Sequence, residues 1–459
     1  MKPEGGSEVG VPHSAYSARG SIRRSTAFLT LFWLLQMAAS GAVQIFIAAK
    51  YGTSGSLDVY LAGVTLPTTL FMIFASSFGI AALVYFHEVR VREGLREAHQ
   101  RLTFAAFISV IFGIFVTAAL LIRPDVVRWL TPGLSNEQLE GAAGVLRITA
   151  IAIPLLAASS ILQGVLQANQ HFYSFSLAAL IQILLLPIFV LFGGEATPQA
   201  LAWGFTAGGL VCFAVILAAS IRAGVIKVGS AAPKSLMRLF ALVVPLVLSG
   251  LLTHSVWVSE RHFSSLMGEG SIAALNYSQR VLNLFGGALT YGVTTVLLPI
   301  MSARLEDSRL SQAGALNRKV LVALLVPTAL AAVTLVFLSP KIVTLLFERG
   351  AFDVSSTKLT AAALTMYTGL LIANIYGAVV MKDAFAAKEG WLTVAAAGLM
   401  LVVFLLLAPH MIARFGFVGL PLTTSIAFMT NMLVITVVMA RRHPHLFFRA
   451  EPAAAIQTK

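Results

Sequence analysis

Long runs of apolar residues recur along this 459-residue chain, and short polar segments separate them. A run of about 20 apolar residues is the length that an α-helix needs to cross the hydrocarbon core of a bilayer. The pattern predicts an all-α polytopic membrane protein. Its twelve predicted spans are residues 25–49, 59–86, 102–122, 141–166, 172–193, 199–221, 236–259, 271–302, 317–338, 359–381, 391–412 and 417–440.

Composition supports the same class. The chain is 58% hydrophobic and 11% charged, whereas a soluble domain carries about 25% charged residues. Cys212 is the only cysteine, which predicts neither a disulfide framework nor a thiolate metal site. The sequence also lacks the HExxH, GxSxG and Walker patterns. We therefore expect no enzyme activity, no cofactor and no metal.

The Lys and Arg residues that give the net charge of +13 are distributed unevenly between the two predicted sides of the membrane. With the predicted spans, 22 of the 32 Lys and Arg residues lie on the side of the N-terminus, eight lie on the opposite side, and Arg147 and Arg280 lie inside spans. The positive-inside rule then predicts that both termini are cytoplasmic. Residues 1–24 are predicted to be a disordered cytoplasmic tail and residues 441–459 a second tail. We expect contacts with membrane lipids and no nucleic-acid partner.

Two similar halves follow from an internal repeat. The segment VVRWLTPGLSNEQ from Val126 resembles IVTLLFERGAFDVSS from Ile342, and their glycines Gly133 and Gly350 are separated by six predicted helices. An even number of helices gives both halves the same orientation, as in transporters with parallel repeats. The repeat predicts two six-helix lobes related by a pseudo-two-fold axis, residues 25–222 and 236–440, joined by a cytoplasmic linker at 223–235. A ligand site is expected between them near the middle of the bilayer.

The eighth predicted span carries a charged residue, Arg280. Helical spacing places it on one stripe with other polar or small residues, and Gln279 and Thr290 flank that stripe. The other stripe members are Asn276, Asn283, Gly287, Tyr291 and Thr294. An arginine in hydrocarbon costs about 2.5–3.5 kcal/mol on insertion scales, so this face is expected to meet a partner or a hydrated cavity. The alternative is an arginine that snorkels to the interface; the neighbouring amides favour the cavity.

Helices of the other half supply further polar faces. Gln36, Ser40 and Gln44 recur every four residues on the first span, and Asp58, Thr65 and Thr69 share a face of the second. Polar residues in membrane helices also form interhelical contacts that contribute about 0.6 kcal/mol each. Such contacts are sufficient to explain the Ser and Thr residues. The amides and Arg280 instead predict a hydrated cavity for an anionic or sugar-bearing head group, with Arg280 bonded to phosphate. The predicted substrate-binding residues are Arg280, Gln279, Asn283, Asn276, Gln44, Gln36 and Asp58.

Six short motifs are spread along both halves of the chain. They are YGTSGSLDVYLAGVTLP at 51–67, TPGL at 131–134, LRIT at 146–149 followed by Pro154, GVLQANQHF at 164–172, the run from Pro245 through NYSQR to LLPIMS at 302, and LLFERGAF at 345–352. In this order they resemble the MurJ/MviN family of lipid II flippases. This family belongs to the MOP superfamily, which also holds polyprenyl-linked oligosaccharide flippases and the multidrug extruders called MATE transporters. The resemblance implies alternating access in a bacterial inner membrane and a lipid-linked saccharide as substrate.

The resemblance carries over to individual residues only in part. Arg280 matches a cavity arginine of the family, and Asp58 matches an acidic position after its glycine-rich loop. Gln279 stands where the family usually has an acidic residue. Three further cavity arginines of the family fall on Met37, Val43 and Phe71. The family's two extra C-terminal helices are also expected to be absent. Lipid II, a related lipid-linked saccharide and a different amphiphile all stay open as substrates.

Three hypotheses follow. The first is a flippase that moves a polyprenyl-phosphate-linked saccharide outward as a monomer, alongside a cell-envelope glycosyltransferase or polymerase. The second is a cation-coupled multidrug antiporter of the same fold, which would need a buried carboxylate such as Asp58 or Glu260. The third is a membrane scaffold that transports nothing. The cluster of Glu260, Arg261 and His262 is interpreted as an interface cluster.

Overall fold

A computed structural model describes residues 14–448, apart from residues 170, 194–195, 228, 230–232, 307–309 and 388. Every regular element in this part of the chain is a helix. The first half contains eight helices: α1 (Ser14–Tyr51), α2 (Gly55–Glu93), α3 (Leu95–Ile122), α4 (Val126–Leu130), α5 (Asn136–Ala150), α6 (Ile153–Ala168), α7 (Phe172–Phe192) and α8 (Pro198–Arg222).

The second half repeats the arrangement with α9 to α17. They are α9 (Pro233–Ser265), α10 (Ser271–Glu306), α11 (Leu310–Ala323), α12 (Leu325–Phe347), α13 (Val354–Met366), α14 (Thr368–Ala386), α15 (Gly390–Phe415), α16 (Gly419–Arg442) and α17 (Pro444–Phe447), with a 3₁₀ turn at Gly416–Val418. Helix α1 begins before the predicted start of the first span, and α17 lies within the predicted C-terminal tail. Residues 1–13 and 449–459 of the two predicted tails lie outside the described residues.

All twelve predicted spans fall on helices, and two of them are bent. The fourth span breaks between α5 and α6 by 42°, just before Pro154, and the tenth breaks between α13 and α14 by 45° at Tyr367. Pro154 follows the first break directly, and proline cannot donate a backbone hydrogen bond inside a helix. By length and composition alone, seven helical stretches in the described part are apolar enough to cross a membrane, or up to nine when each bent pair is one span.

The two lobes meet along an interlobe seam on the side of the membrane opposite the N-terminus. We define the seam as residues 49–58 of the N-terminal lobe and their contacts with residues 269–277 and 349–356 of the C-terminal lobe. Tyr277 donates a hydrogen bond from its hydroxyl to the Gly52 carbonyl at 3.1 Å, and the Ala351 amide donates to the Ala49 carbonyl at 2.9 Å. The ring of Tyr277 packs on Phe347 and Phe352 at centroid distances of 5.1 and 5.3 Å.

The repeated glycines of the sequence occupy equivalent places. A Cβ on Gly350 would lie 2.3 Å from the carbonyl oxygen of Ala49, at the end of α1 in the other lobe. A Cβ on Gly133 would lie 2.0 Å from the carbonyl oxygen of Ser265, at the end of α9 in the other lobe. Each lobe therefore inserts its loop glycine against the end of the first helix of its partner lobe. The internal repeat is visible here as a pair of backbone-to-backbone contacts.

We expect Gly350→Ala to weaken the seam. Gly350 has φ +60°, and an added methyl would also meet backbone atoms of Ala49 that cannot rotate away. Left-handed backbone costs an alanine about 1–2 kcal/mol, and forced overpacking adds about 1–3 kcal/mol. Thermal unfolding of the purified protein in detergent measures the sum as a lower midpoint.

Gly224→Ala is the matched control, because Gly224 has φ +64° and open space where its Cβ would lie. It carries the backbone strain without the clash. A midpoint for Gly350→Ala equal to that for Gly224→Ala would contradict the contact at the seam.

Candidate functional site

A cavity of about 530 Å³ lies between α1, α10, α12 and α14. Gln36, Ser40 and Gln44 line it from α1, and Arg280, Asn283 and Thr290 line it from α10. Residues four apart on a helix share a face, which is why the two polar stripes of the sequence meet across one space. Asn374 of α14 completes the polar wall.

A second cavity of about 540 Å³ adjoins the first, with α2 and α9 as additional walls. Gln44, Arg280, Asn283 and Asn374 line both cavities. We call the two together the central cavity. The second cavity adds Asn276 and Gln279 from α10 and Arg261 from α9. Six of the seven predicted substrate-binding residues therefore surround the central cavity, and Asp58 does not line it. Tyr291 and Thr294 of the predicted stripe lie beyond the described side chains.

Arg280 exposes its side chain to this space, although its helix lies inside the bundle. In the described part of the chain its guanidinium has neither a hydrogen bond nor an ion pair. A guanidinium offers five donors in a fixed fork that matches a phosphate or carboxylate. The side chain is therefore available to an anionic group in the cavity.

Arg261 is a second cavity cation, which the sequence interpretation missed. The three members of the predicted interface cluster contact different groups. His262 contacts the carbonyl oxygen of Trp129 at 3.0 Å, and Glu260 accepts hydrogen bonds within the C-terminal lobe. Arg261 lines the cavity, and its Nη1 atom is buried without a hydrogen-bond partner among the described residues. The signal was its helical spacing, because His254 and Trp257 lie on the same face and line the same cavity.

Gln279 is anchored by a buried polar network. Its Nε2 donates to Glu260 at 2.6 Å and lies 3.0 Å from the Tyr367 hydroxyl. Glu260 is 3% exposed and also accepts hydrogen bonds from the hydroxyls of Tyr367, at 2.8 Å, and Thr424. A buried carboxylate is tolerated when donors satisfy it. The network therefore fixes α9, α10, α14 and α16 around the cavity, and it occupies the donor of Gln279.

Gln36 is also held in place, because its Nε2 donates to the Ser176 carbonyl of α7 at 2.7 Å. This bond ties α1 to α7 within one lobe. Among the predicted substrate-binding residues, the other amides, Gln44, Asn276 and Asn283, line the cavity and make no such bond in the described part of the chain. These three side chains have free donors and acceptors of the kind that sugar hydroxyls need.

Asp58 lies at the seam rather than in the cavity. It is 1% exposed and accepts hydrogen bonds from the backbone amides of Gly270, at 2.7 Å, and Ala273, at 2.8 Å. These amides belong to the N-terminus of α10, where orphan donors and the helix dipole favour a negative charge. In return Glu269 accepts from the Gly55 amide at the start of α2, at 2.6 Å. The two lobes thus cap each other's helices reciprocally.

A second set of polar contacts closes the seam beside α13. Asp353 accepts from the backbone amide of Ser356 at 2.8 Å and from its hydroxyl at 2.7 Å. These hydrogen bonds lower the pKa of Asp353. They also fix the Ser356 hydroxyl, which lies 2.8 Å from the Thr53 hydroxyl of the other lobe. These hydrogen bonds therefore hold the two lobes in contact at the seam.

The apolar substitutions predicted from the family resemblance also line the cavity. Met37 lies in the first cavity, and Val43 and Phe71 lie in the second. The only Lys and Arg side chains that line the central cavity in the described part of the chain are Arg261 and Arg280, and no Asp or Glu lines it there. The described residues contain no group of three or more His, Cys, Asp or Glu side chains that could hold a metal ion.

Comparison of sequences identifies relatives across most of the chain. A family model described as "Lipid II flippase MurJ" matches residues 47–456. A probable lipid II flippase MurJ from Rhizobium tropici is 27% identical over 87% of this chain and 78% of its own length. The lipid II flippase MurJ of Burkholderia cenocepacia is 24% identical over 91% of this chain and 84% of its own length.

Solved structures share the fold. A structure of lipid II flippase MurJ in an inward closed conformation superimposes with a TM-score of 0.79 at 22% identity, over 90% of this chain and 87% of that one. An inward-facing MATE multidrug transporter of the MOP superfamily gives 0.75 at 16% identity, over 89% and 94%. These matches confirm the predicted all-α, two-lobed architecture. Because the family model spans most of the sequence, the chain belongs to the MurJ family of lipid II flippases, which are membrane transporters rather than enzymes.

Proposed function

We propose that this chain is a flippase that moves a polyprenyl-(pyro)phosphate-linked saccharide, lipid II or an exopolysaccharide precursor, across the bacterial inner membrane by alternating access. The observation that carries the proposal is the charge of the central cavity. Arg261 and Arg280 line it, and no carboxylate does so among the described residues. An anionic head group would be favoured there, because low-dielectric walls strengthen the attraction.

The roles of the residues follow from their positions. Arg280 would bind the phosphate through a charge-assisted hydrogen bond, and Arg261 would contact a second oxygen. Gln44, Asn276 and Asn283 would contact sugar hydroxyls. Gln279 and Gln36 would position the walls, since their amides already bond to protein. Asp58 would act as a gating residue at the seam.

The direction of transport rests on orientation. The excess of Lys and Arg on the side of the N-terminus supports cytoplasmic termini, and this would put the closed seam at the outer face. The central cavity would then open toward the cytoplasm, where lipid-linked precursors are made. We infer a monomer that works beside a cell-envelope glycosyltransferase or polymerase.

A cation-coupled multidrug antiporter is the second candidate, and the buried carboxylate of Glu260 favours it. Such an antiporter exchanges its substrate for a cation held by a carboxylate. Glu260, however, already accepts hydrogen bonds from three side chains, and Asp58 is bonded to two backbone amides. The satisfied carboxylates and the cationic cavity both support the flippase.

Reconstitution tests the proposal. The purified full chain is inserted into liposomes with a fluorescent polyprenyl-pyrophosphate-linked saccharide, and the fraction that crosses the bilayer is measured by quenching from outside. We expect protein-dependent flipping of this lipid. Movement of cationic dyes in exchange for protons or sodium, without flipping, would favour the antiporter instead. A folded protein that moves neither would point to a membrane scaffold.

A further inference from the structure

A third cavity extends the site away from the seam. It has a volume of about 370 Å³ and lies between α9, α10, α14 and α16 of the C-terminal lobe. Asn374 lines this cavity as well as both parts of the central cavity, so the spaces adjoin at that residue. We call it the lobe cavity. Its far end is marked by Lys382, in the last turns of α14.

Lys382 carries a positive charge into the lobe cavity. Its side chain is half-buried and forms no ion pair in the part of the chain that the structure describes. The adjacent Asp383 is fully buried and does not line the cavity. No other Asp or Glu among the described residues lines it either. A partly desolvated ammonium without a counter-charge is unfavourable unless an anion or water meets it.

The rest of the wall is suited to a polar ligand with an apolar face. Asn431 has a buried Oδ1 atom without a hydrogen-bond partner in the described structure, and Thr253 and Thr290 add hydroxyls. Phe385 and Phe428 present aromatic surface beside them. An unsatisfied buried oxygen is costly unless a ligand or a water donates to it. Apolar walls with a few convergent polar groups are typical of small-molecule sites.

We propose that the lobe cavity binds a carboxylate-bearing part of the transported head group, with Lys382 as its counter-ion. The inference rests on the proposed flippase function and deepens it. The phosphate would bind Arg280 in the central cavity, and the saccharide would extend past Asn374 so that a carboxylate on a distal sugar or on its substituent meets Lys382. The protein would then select head groups with a second, distal anionic group. A saccharide without a distal carboxylate would not form the ion pair with Lys382.

Transport of two matched lipids tests this selection. Both are fluorescent polyprenyl-pyrophosphate-linked saccharides; one ends in a uronic acid and the other in its methyl ester. In proteoliposomes we expect Lys382→Gln to slow flipping of the acid about 10- to 150-fold, as loss of one hydrogen bond to a charged group predicts. In the Lys382→Gln protein the ester is expected to flip at the wild-type rate. Lys382→Arg keeps the charge and is expected to restore flipping of the acid.

Lys319→Gln is the matched control. Lys319 is an exposed lysine on α11 that lines none of the described cavities, so its loss removes the same charge elsewhere. Equal slowing of both lipids by Lys382→Gln, or no slowing of the acid, would overturn the carboxylate subsite; the second result would mean that Lys382 only snorkels to the interface. If the wild-type protein flips neither lipid, the proposed function fails as well, so the two failures are distinguishable.

Discussion

Replacement of Arg280 by glutamine is expected to reduce flipping of a polyprenyl-pyrophosphate-linked saccharide by about 10- to 150-fold. The range corresponds to the loss of about 1.5–3 kcal/mol for a hydrogen bond to a charged group. Arg280 is exposed to the central cavity and has no protein partner there in the described structure, so its charge is free for the substrate. Initial flipping rates in proteoliposomes that hold equal amounts of folded protein measure the effect. Arg280→Lys is expected to retain part of the activity, because an ammonium keeps the charge but loses the bidentate fork.

Arg147→Gln is the matched control for this variant. Arg147 is the other arginine inside a predicted span, but it is exposed and lines none of the described cavities. We expect its rate to stay within about twofold of wild type, as for an exposed charge. Equal rates for Arg280→Gln and Arg147→Gln would show that Arg280 does not bind the transported head group.

The fold was predictable from the sequence because the bilayer imposes strong physical constraints on any segment that crosses it. Each span must satisfy its own backbone inside the bilayer, so long apolar segments predict helices. The bend before Pro154 coincides with a proline, which interrupts the hydrogen-bond ladder, but Pro67 and Pro187 lie inside unbroken helices. The bend at Tyr367 was not predictable from the sequence. No proline marks it, and it lies where Tyr367 reaches Glu260 across the lobe.

The sequence predicted which residues of the candidate site share a face of one helix, but not which helices face each other. Gln36, Gln44 and the stripe around Arg280 follow from helical spacing, and the structure brings them around one cavity. Arg261 and Lys382 lie just beyond the ends of the predicted spans 236–259 and 359–381. Nothing in the sequence states which neighbouring helices leave space beside them. The partners of Glu260 come from three other helices. Such contacts depend on tertiary packing and have no local signal.

The cationic side chains that line the cavities lie on one lobe, among the described residues. Met37, Val43 and Phe71 give the N-terminal lobe an apolar wall at the positions where the family resemblance predicts arginines. The described Lys and Arg side chains that line the cavities, Arg261, Arg280 and Lys382, all belong to the C-terminal lobe. An anionic head group would therefore stay with one lobe while the other moves against it. Separation of the lobes would then break few charged contacts, which keeps the two states close in free energy.

Opening of the seam should depend chiefly on Asp58. Asp58→Asn removes the negative charge from the N-terminus of α10, and its amide group can accept only one of the two hydrogen bonds from Gly270 and Ala273. Loss of one charge-assisted bond, about 1.5–3 kcal/mol, would raise the ratio of open to closed seam about 10- to 150-fold. A Thr68→Cys reporter in a Cys212→Ser background measures this, because Thr68 lines the central cavity. We expect faster labelling by a membrane-impermeant thiol reagent that is added on the side of the seam.

Two further variants distinguish the loss of a seam contact from the loss of a negative charge elsewhere on the protein. Glu269→Gln removes the reciprocal cap on α2, where the carboxylate accepts from Gly55 at 2.6 Å, and is expected to accelerate labelling in the same direction. Glu137→Gln removes an exposed carboxylate from the first turn of α5 on the same side of the membrane, and its labelling rate is expected to stay at the wild-type value. If Asp58→Asn and Glu137→Gln label at the same rate, with equal amounts of folded protein, then Asp58 does not hold the lobes together. Faster labelling with Asp58→Asn and Glu269→Gln alone would instead assign the closed state to the paired caps, since each carboxylate bonds to the other lobe.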